Sequence, residues 1–133
     1  MRIYRIVEGY SEEQRAELAE GNRLLTELMN QLESKYSGLE LFVSESINKI
    51  HIHELRVPLE MRHQGIGGAV IRAIQDFAIT RGKPVTLAPQ AERGYKKKLD
   101  NFYKGHGFVN NKGRNMDYSI SEPFARTMYW RPQ

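Results

Sequence analysis

The sequence predicts an α/β (α+β) domain: a mixed central sheet with helices packed against it. Three stretches carry that expectation. Residues 50–57, IHIHELRV, alternate apolar and polar positions as a half-buried strand does. Residues 65–81 place Ile66, Ala69, Val70, Ala73, Ile74, Phe77 and Ala78 at the i, i+3, i+4, i+7 spacing of an amphipathic helix. Val85 to Ala88 is a short apolar run behind Gly82 and Pro84, the residues that stop that helix. Strand, helix, strand in this order implies a parallel pair within 50–88, joined by a crossover helix.

The other elements follow in order. Residues 1–8, MRIYRIVE, read as a short strand. Ser11 is an N-cap candidate, with Gln14 at the capping-box offset and Glu12 and Glu13 in the first turn. Leu18, Leu25, Leu28, Met29, Leu32 and Tyr36 continue a helical stripe. Gly21-Asn22 interrupts it, which leaves one helix or two open, and Ser37-Gly38 ends it. Leu39 to Ser46 alternates, with Leu39, Leu41 and Val43 on one side and Phe42 on the other. Asn48-Lys49 turns the chain into the strand at 50–57. On strict alternation Ile50, Ile52 and Glu54 face one way, and His51, His53, Leu55 and Val57 the other. A β-bulge would reverse Glu54. Pro58 stops the strand. The helix over 65–81 is a rod of roughly 25 Å. Lys96 to Lys104 reads as another helix, closed by Gly105 or Gly107. Two last strands are expected around Phe108-Val109 and from Thr127 to Trp130. No repeat or linker appears, so residues 1–133 form a single domain.

Composition narrows the chemistry. At 133 residues the chain fits one hydrophobic core. The apolar fraction is 40% and the charged fraction 27%, as in an ordinary globule. With no cysteine, disulfides, thiolate metal sites and cysteine nucleophiles are excluded. No metal-ligand spacing stands out, and none is expected. No window approaches the ~20 apolar residues of a membrane span, and the first residues have no signal-peptide core. A cytoplasmic setting without membrane contact is the expectation. The net charge is +4, which suits an anionic partner.

Arg62-His63-Gln64-Gly65-Ile66-Gly67-Gly68 lies between the strand and the long helix. The first helical N–H groups have no intrahelical acceptor, and the macrodipole adds about half a positive charge there. Glycines allow a close approach, and Arg62 adds a full charge. Together these features favour a phosphate ligand. The loop is neither a P-loop nor a dinucleotide fingerprint, because GxxxxGK[ST] and GxGxxG are both absent.

Arg62-x-x-Gly65-x-Gly67 after a strand ending Val57-Pro58 resembles the acetyl-CoA signature of the GNAT N-acetyltransferases. About forty residues later, Phe102-Tyr103 followed by Gly107-Phe108 is similar to their second landmark. The resemblance covers residues 39–109. It implies a mixed sheet whose parallel strands, 50–57 and 85–88, splay apart to admit acetyl-CoA as cosubstrate. It further implies that the pantetheine arm pairs with the backbone of Leu55, Arg56 and Val57, as an added strand does. The pyrophosphate would sit on the N–H groups of His63, Gln64, Gly65, Ile66, Gly67 and Gly68. Two departures are visible. Residues 39–57 hold two strands where the family usually has three, and Lys96 stands where the family usually has Asn.

Acetyl transfer needs a neutral amine, and neutralising one of pKa about 10.4 at pH 7 costs about 4.6 kcal/mol. A base is therefore useful, as is an acid for the departing thiolate. His51-x-His53 resembles the His pair at the same distance before the signature in arylalkylamine N-acetyltransferases. The resemblance implies that His51 and His53 relay the amine proton to water. Glu54 is the second choice for base. Tyr103, next to the thioester sulfur by the same resemblance, is the acid.

The basic residues Arg93, Lys96, Lys97, Lys98 and Lys104 fit a solvated helix face, a contact to the coenzyme's 3′-phosphate, or an acidic acceptor. Lys112 and Arg114 lie in a loop where the family often shapes its acceptor pocket. Two other functions compete: a basic nucleic-acid-binding module, and a CoA-binding protein without catalysis. No helix-turn-helix or RNP-like strand supports the first. The acceptor is a primary amine of unspecified kind; nucleic acid enters only if it is an aminoacyl-tRNA. The sequence does not specify the oligomeric state.

Overall fold

The computed structural model describes residues 10–90, 94–120 and 126–133. The strand expected over residues 1–8 and the basic residue Arg93 lie outside the described residues. Helix α1 (Glu12–Lys35) is followed by β1 (Glu40–Glu45) and β2 (Ile50–Arg56). A 3-10 turn (Leu59–Met61), α2 (Ile66–Arg81) and β3 (Val85–Leu87) come next. The chain closes with α3 (Lys96–Gly105), β4 (Val109–Asn110), two 3-10 turns and β5 (Met128–Trp130). The sheet order is β1-β2-β3-β5-β4. The β2–β3 pair is parallel and the other pairs antiparallel, as expected of a mixed sheet built around a crossover helix.

Helix α1 begins where the capping box placed it. The Gln14 amide donates to Ser11 Oγ at 3.0 Å, and the Ser11 amide donates to Gln14 Oε1 at 2.9 Å. Helix α2 ends at Gly82, whose left-handed φ of 68° lets its N–H reach back to Ala78 and Ile79. The core joins Leu25 of α1, Val43 and Ile50 of the first hairpin, Val70, Ile71 and Ile74 of α2, and Val85, Phe108 and Met128.

Alternation holds along β1 but breaks in β2. Phe42 pairs with Glu54 and Val43 with Ile52, so His53 is an extra residue on β2. This bulge turns Leu55 onto the buried face with Ile50 and Ile52. It puts Glu54 with Phe42 on the opposite face, beside His51 and His53. The strict-alternation assignment of Leu55 and Glu54 is therefore reversed. At the same level β2 and β3 part. Their pairing runs Ile50↔Val85, His51↔Thr86, Ile52↔Leu87, and stops there. Pro89 follows two residues later and has no N–H to extend the ladder. The edge of β2 from His53 onward is left without β3.

Gly21 is not a helix break. Helix α1 is continuous for 24 residues. A Cβ at Gly21 would stand 2.1 Å from Glu45 Oε1, so the position is glycine to admit a buried carboxylate. The Glu45 side chain is fully buried. Arg81 Nε donates to it at 3.0 Å and Lys83 Nζ at 2.5 Å. Asn22 exchanges two bonds with the Glu45 backbone at 2.9 and 3.0 Å, and Arg81 also donates to the Glu17 carbonyl at 2.9 Å. One acidic residue thus ties α1, β1 and the end of α2 together.

Two substitutions test this junction by urea denaturation. Glu45→Gln leaves Arg81 and Lys83 without their counter-charge and is expected to destabilise the fold by about 3 kcal/mol. Gly21→Ala, which on helix propensity alone would stabilise by up to about 1 kcal/mol, is expected instead to destabilise by about 1–3 kcal/mol through overpacking.

Candidate active site

Where β2 and β3 separate, the protein holds a cleft of about 820 Å³. Its walls come from both faces of the sheet. Ile52, Leu55 and Leu87 reach it from the buried face, and His53 and Glu54 from the other. Arg56, Val57, Met61, Arg62, His63, Gly65, Ile66, Gly67 and Gly68 form one side, and Tyr95, Lys98, Leu99, Phe102 and Tyr103 the opposite side. The split therefore passes through the sheet.

The glycine loop has the backbone geometry of an anion site. His63 has φ 67° and Gly65 φ 79°, with Gln64 of ordinary sign between them. Such alternation turns successive N–H groups toward one point. Among the described residues, no amide from His63 to Gly65 donates to a backbone carbonyl. Those of Ile66 to Gly68 belong to the unsatisfied first turn of α2. Arg62 Nε donates to the Val57 carbonyl at 3.0 Å, fastening the loop to the end of β2. A Cβ at Gly65 would meet nothing, so its requirement is conformational. The other two glycines serve packing. A Cβ at Gly67 would lie 3.2 Å from the Phe102 ring, and one at Gly68 would lie 3.2 Å from His106. Burial, then the charge of Arg72, lowers the proton affinity of His106.

Tyr103 is only 6% exposed, packed at a ring distance of 5.1 Å from Phe102 and 5.8 Å from Phe108. Burial pushes its pKa up to about 12. The hydroxyl makes no hydrogen bond among the described residues, yet no fully buried side-chain polar atom there lacks a partner. The oxygen therefore opens into the cleft, protonated and able to donate.

The two histidines stand on the sheet face that Phe42 shares. His53 Nε2 lies 2.7 Å from Ser44 Oγ, and its ring stacks on Phe42 at 4.6 Å. His51 Nδ1 lies 2.6 Å from Oγ1 of the buried Thr86, and its ring meets His53 edge-on at 4.7 Å. His53, Glu54 and Tyr103 line the cleft together. His51 stands behind His53, outside the lining, as does Gln64, whose amide nitrogen donates to the Glu60 carbonyl at 3.4 Å. The remaining expected residues, from Leu55 to Gly68, all reach the cleft. Sequence reasoning missed the walls supplied by Met61, Leu87, Tyr95 and Leu99, which have no spacing signature. Lys98 was visible only as part of a basic run. Within that run Lys96 is paired with Asp100 at 3.2 Å, and Arg126 joins the same carboxylate at 2.9 Å. These two cations, Arg126 first, hold the Asp100 carboxyl below the usual range. Among the described residues no cluster of His, Asp or Glu could hold a metal ion, and no helix is long and apolar enough to cross a membrane.

The pKa of Tyr103 can be checked directly. In an ultraviolet titration one tyrosine is expected to ionise near pH 12, and Tyr103→Phe removes that component.

No protein-family model matches the sequence, and no curated protein matches it. Solved structures do match in fold. The anti-CRISPR protein AcrVA5 superposes with a TM-score of 0.54 at 26% identity, over 71% of this chain and 90% of its own. An acetyltransferase of the GNAT family from Staphylococcus aureus has a TM-score of 0.54 at 15% identity, over 70% of this chain and 58% of its own. The PaiA N-acetyltransferase of Thermoplasma acidophilum, solved in complex with coenzyme A, has a TM-score of 0.51 at 17% identity, over 95% of this chain and 83% of its own. The mixed sheet, the parallel pair at its centre and the flanking helices are the fold of the GNAT acetyltransferases.

Proposed function

We propose that the protein transfers the acetyl group of acetyl-CoA to a primary amine, by direct attack of the amine on the thioester. The observation that carries this reading is the juxtaposition of an open strand edge and a cluster of free, converging amides on one cleft. The edge of β2 over Leu55, Arg56 and Val57, along which β3 does not pair, faces the cleft and suits an extended amide-bearing arm. The amides of His63 to Gly68, with Arg62 beside them, offer a diphosphate its hydrogen bonds and counter-charge. The PaiA enzyme binds coenzyme A on the same fold, which supports the choice of ligand.

The chemistry follows from the side chains that meet at the split. His53, in the cleft, takes the proton of the attacking amine, and His51 behind it passes charge toward solvent. Tyr103 gives its proton to the departing thiolate. Raised to about 12, the phenol stays protonated at every ordinary assay pH, so it serves as donor and not as base. Glu54 is the one other candidate base in the cleft. The nucleic-acid reading loses part of its support because Lys96, one of the basic stripe, is spent on Asp100.

Thiol release from acetyl-CoA, followed over a panel of primary amines, tests the reaction. Tyr103→Phe is expected to lower kcat by roughly 10²-fold or more, with KM for acetyl-CoA within about twofold. His53→Ala is expected to lower kcat by roughly 10²-fold, with KM for acetyl-CoA within about twofold. Full activity in both His51→Ala and His53→Ala would overturn the assignment. Gly65→Ala, strained at φ 79°, is expected to weaken coenzyme A binding several-fold by calorimetry. Coenzyme binding without turnover of any amine would leave only a CoA-binding protein.

A further inference from the structure

We infer that His106 and Arg72 form a second cationic layer behind the amide cradle, in which His106 takes up a proton as the coenzyme's diphosphate arrives. The inference rests on the coenzyme-binding half of the proposed function. Neither residue lines the cleft; both stand against Gly68, which does. A Cβ built on Gly68 would lie 3.2 Å from His106 Cε1, 3.3 Å from His106 Nε2 and 3.4 Å from the Arg72 guanidinium. A residue without a side chain is what lets an imidazole and a guanidinium close together on the first turn of α2. The His106 ring also meets Phe102 edge-on at 4.9 Å, and the His106 carbonyl accepts from the buried Gln75 side chain at 2.8 Å. The ring nitrogens of His106 and the guanidinium of Arg72 make no hydrogen bond or ion pair with a described residue.

Charge gives this layer its behaviour. Of the groups packed on the imidazole, Gly68 and Gln75 of α2 and Phe102 of α3 are uncharged, and Arg72 of α2 is the one charge that acts on it. Without ligand every influence opposes a proton on His106. Burial comes first and Arg72 second, and together they hold the imidazole below its ordinary range. The first turn of a helix adds positive potential of its own. Diphosphate seated on the amides of His63 to Gly68 brings two negative charges to the same turn. These outweigh the single charge of Arg72 and the half charge of the helix end, so the potential at His106 swings to favour the imidazolium. Linkage is reciprocal: the proton affinity that coenzyme adds to His106 is returned as coenzyme affinity when His106 is protonated. Coenzyme binding therefore strengthens as pH falls from the His106 midpoint of the loaded protein to that of the free protein.

The test is a nuclear magnetic resonance titration of the His106 ring, identified by its contacts with the Phe102 ring. Saturating coenzyme A is expected to raise the His106 midpoint by about one pH unit. Dephospho-coenzyme A, which keeps the diphosphate and lacks the 3′-phosphate, is expected to give the same rise. Calorimetry with dephospho-coenzyme A between the two midpoints is expected to show proton uptake, as a binding heat that varies with the ionisation heat of the buffer. Arg72→Gln, at an exposed position, is expected to raise the midpoint of the free protein and to leave a coenzyme-induced rise in place. A residue that only packs α3 on α2 would show neither effect. Binding seen by calorimetry with an unmoved or lowered His106 midpoint overturns the inference and leaves acetyl transfer intact. A rise that requires the 3′-phosphate overturns the diphosphate as its source. No binding of either coenzyme overturns both readings. Binding with the rise, but without turnover of any amine, upholds the second layer and overturns the transfer reading.

Discussion

The functional geometry depends on how briefly β2 and β3 stay paired. Three residue pairs hold them together, and then both strands change. On β2 the extra residue His53 bends the strand and swaps its faces. On β3 the chain reaches Pro89, which cannot donate to a ladder. The backbone of β2 beyond His53 keeps its hydrogen bonds to β1 but has none to β3. A strand edge left open by its neighbour and facing a cleft is where the proposed extended ligand would lie. The same bulge brings His53 and Glu54 to the cleft from the sheet face away from the core. One irregularity thus opens the site and supplies its polar groups.

The rest of the fold holds that split in place. Glu45, Arg81 and Lys83 join α1, β1 and the end of α2 in a buried ion cluster. At the other end of α2, Gly67 and Gly68 let Phe102 and His106 of the following segment come within van der Waals reach. Phe102 precedes Tyr103, so the close contact at Gly67 also fixes where the phenol stands. The glycine loop therefore has two jobs. Gly65 shapes the amide cradle, and the next two glycines set the distance from α2 to the wall that carries Tyr103.

Much of this was legible in the residues. The period of α2, its glycine stop and the capping box of α1 are local features, and local features survive folding. The Arg62-to-Gly68 loop was legible because backbone chemistry at a helix start depends on a few neighbouring residues. The meaning of Gly21 was not. It looked like a break because its reason, the Glu45 carboxylate, is distant in sequence. The facing of Glu54 and Leu55 was also hidden, since a bulge is decided by the partner strand, here between Phe42 and Val43. The walls from Met61, Leu87, Tyr95 and Leu99 come from four separate segments and share no spacing. For the same reason the Arg126–Asp100 pair was invisible, Arg126 lying far along the chain.

Amide hydrogen exchange with and without coenzyme A tests the central claim most directly. Slowed exchange in two separate segments, His53 to Val57 on the open edge and His63 to Gly68 in the loop, is the expected result. Unchanged exchange in both at saturating coenzyme, or protection confined to the lysines of α3, would contradict it.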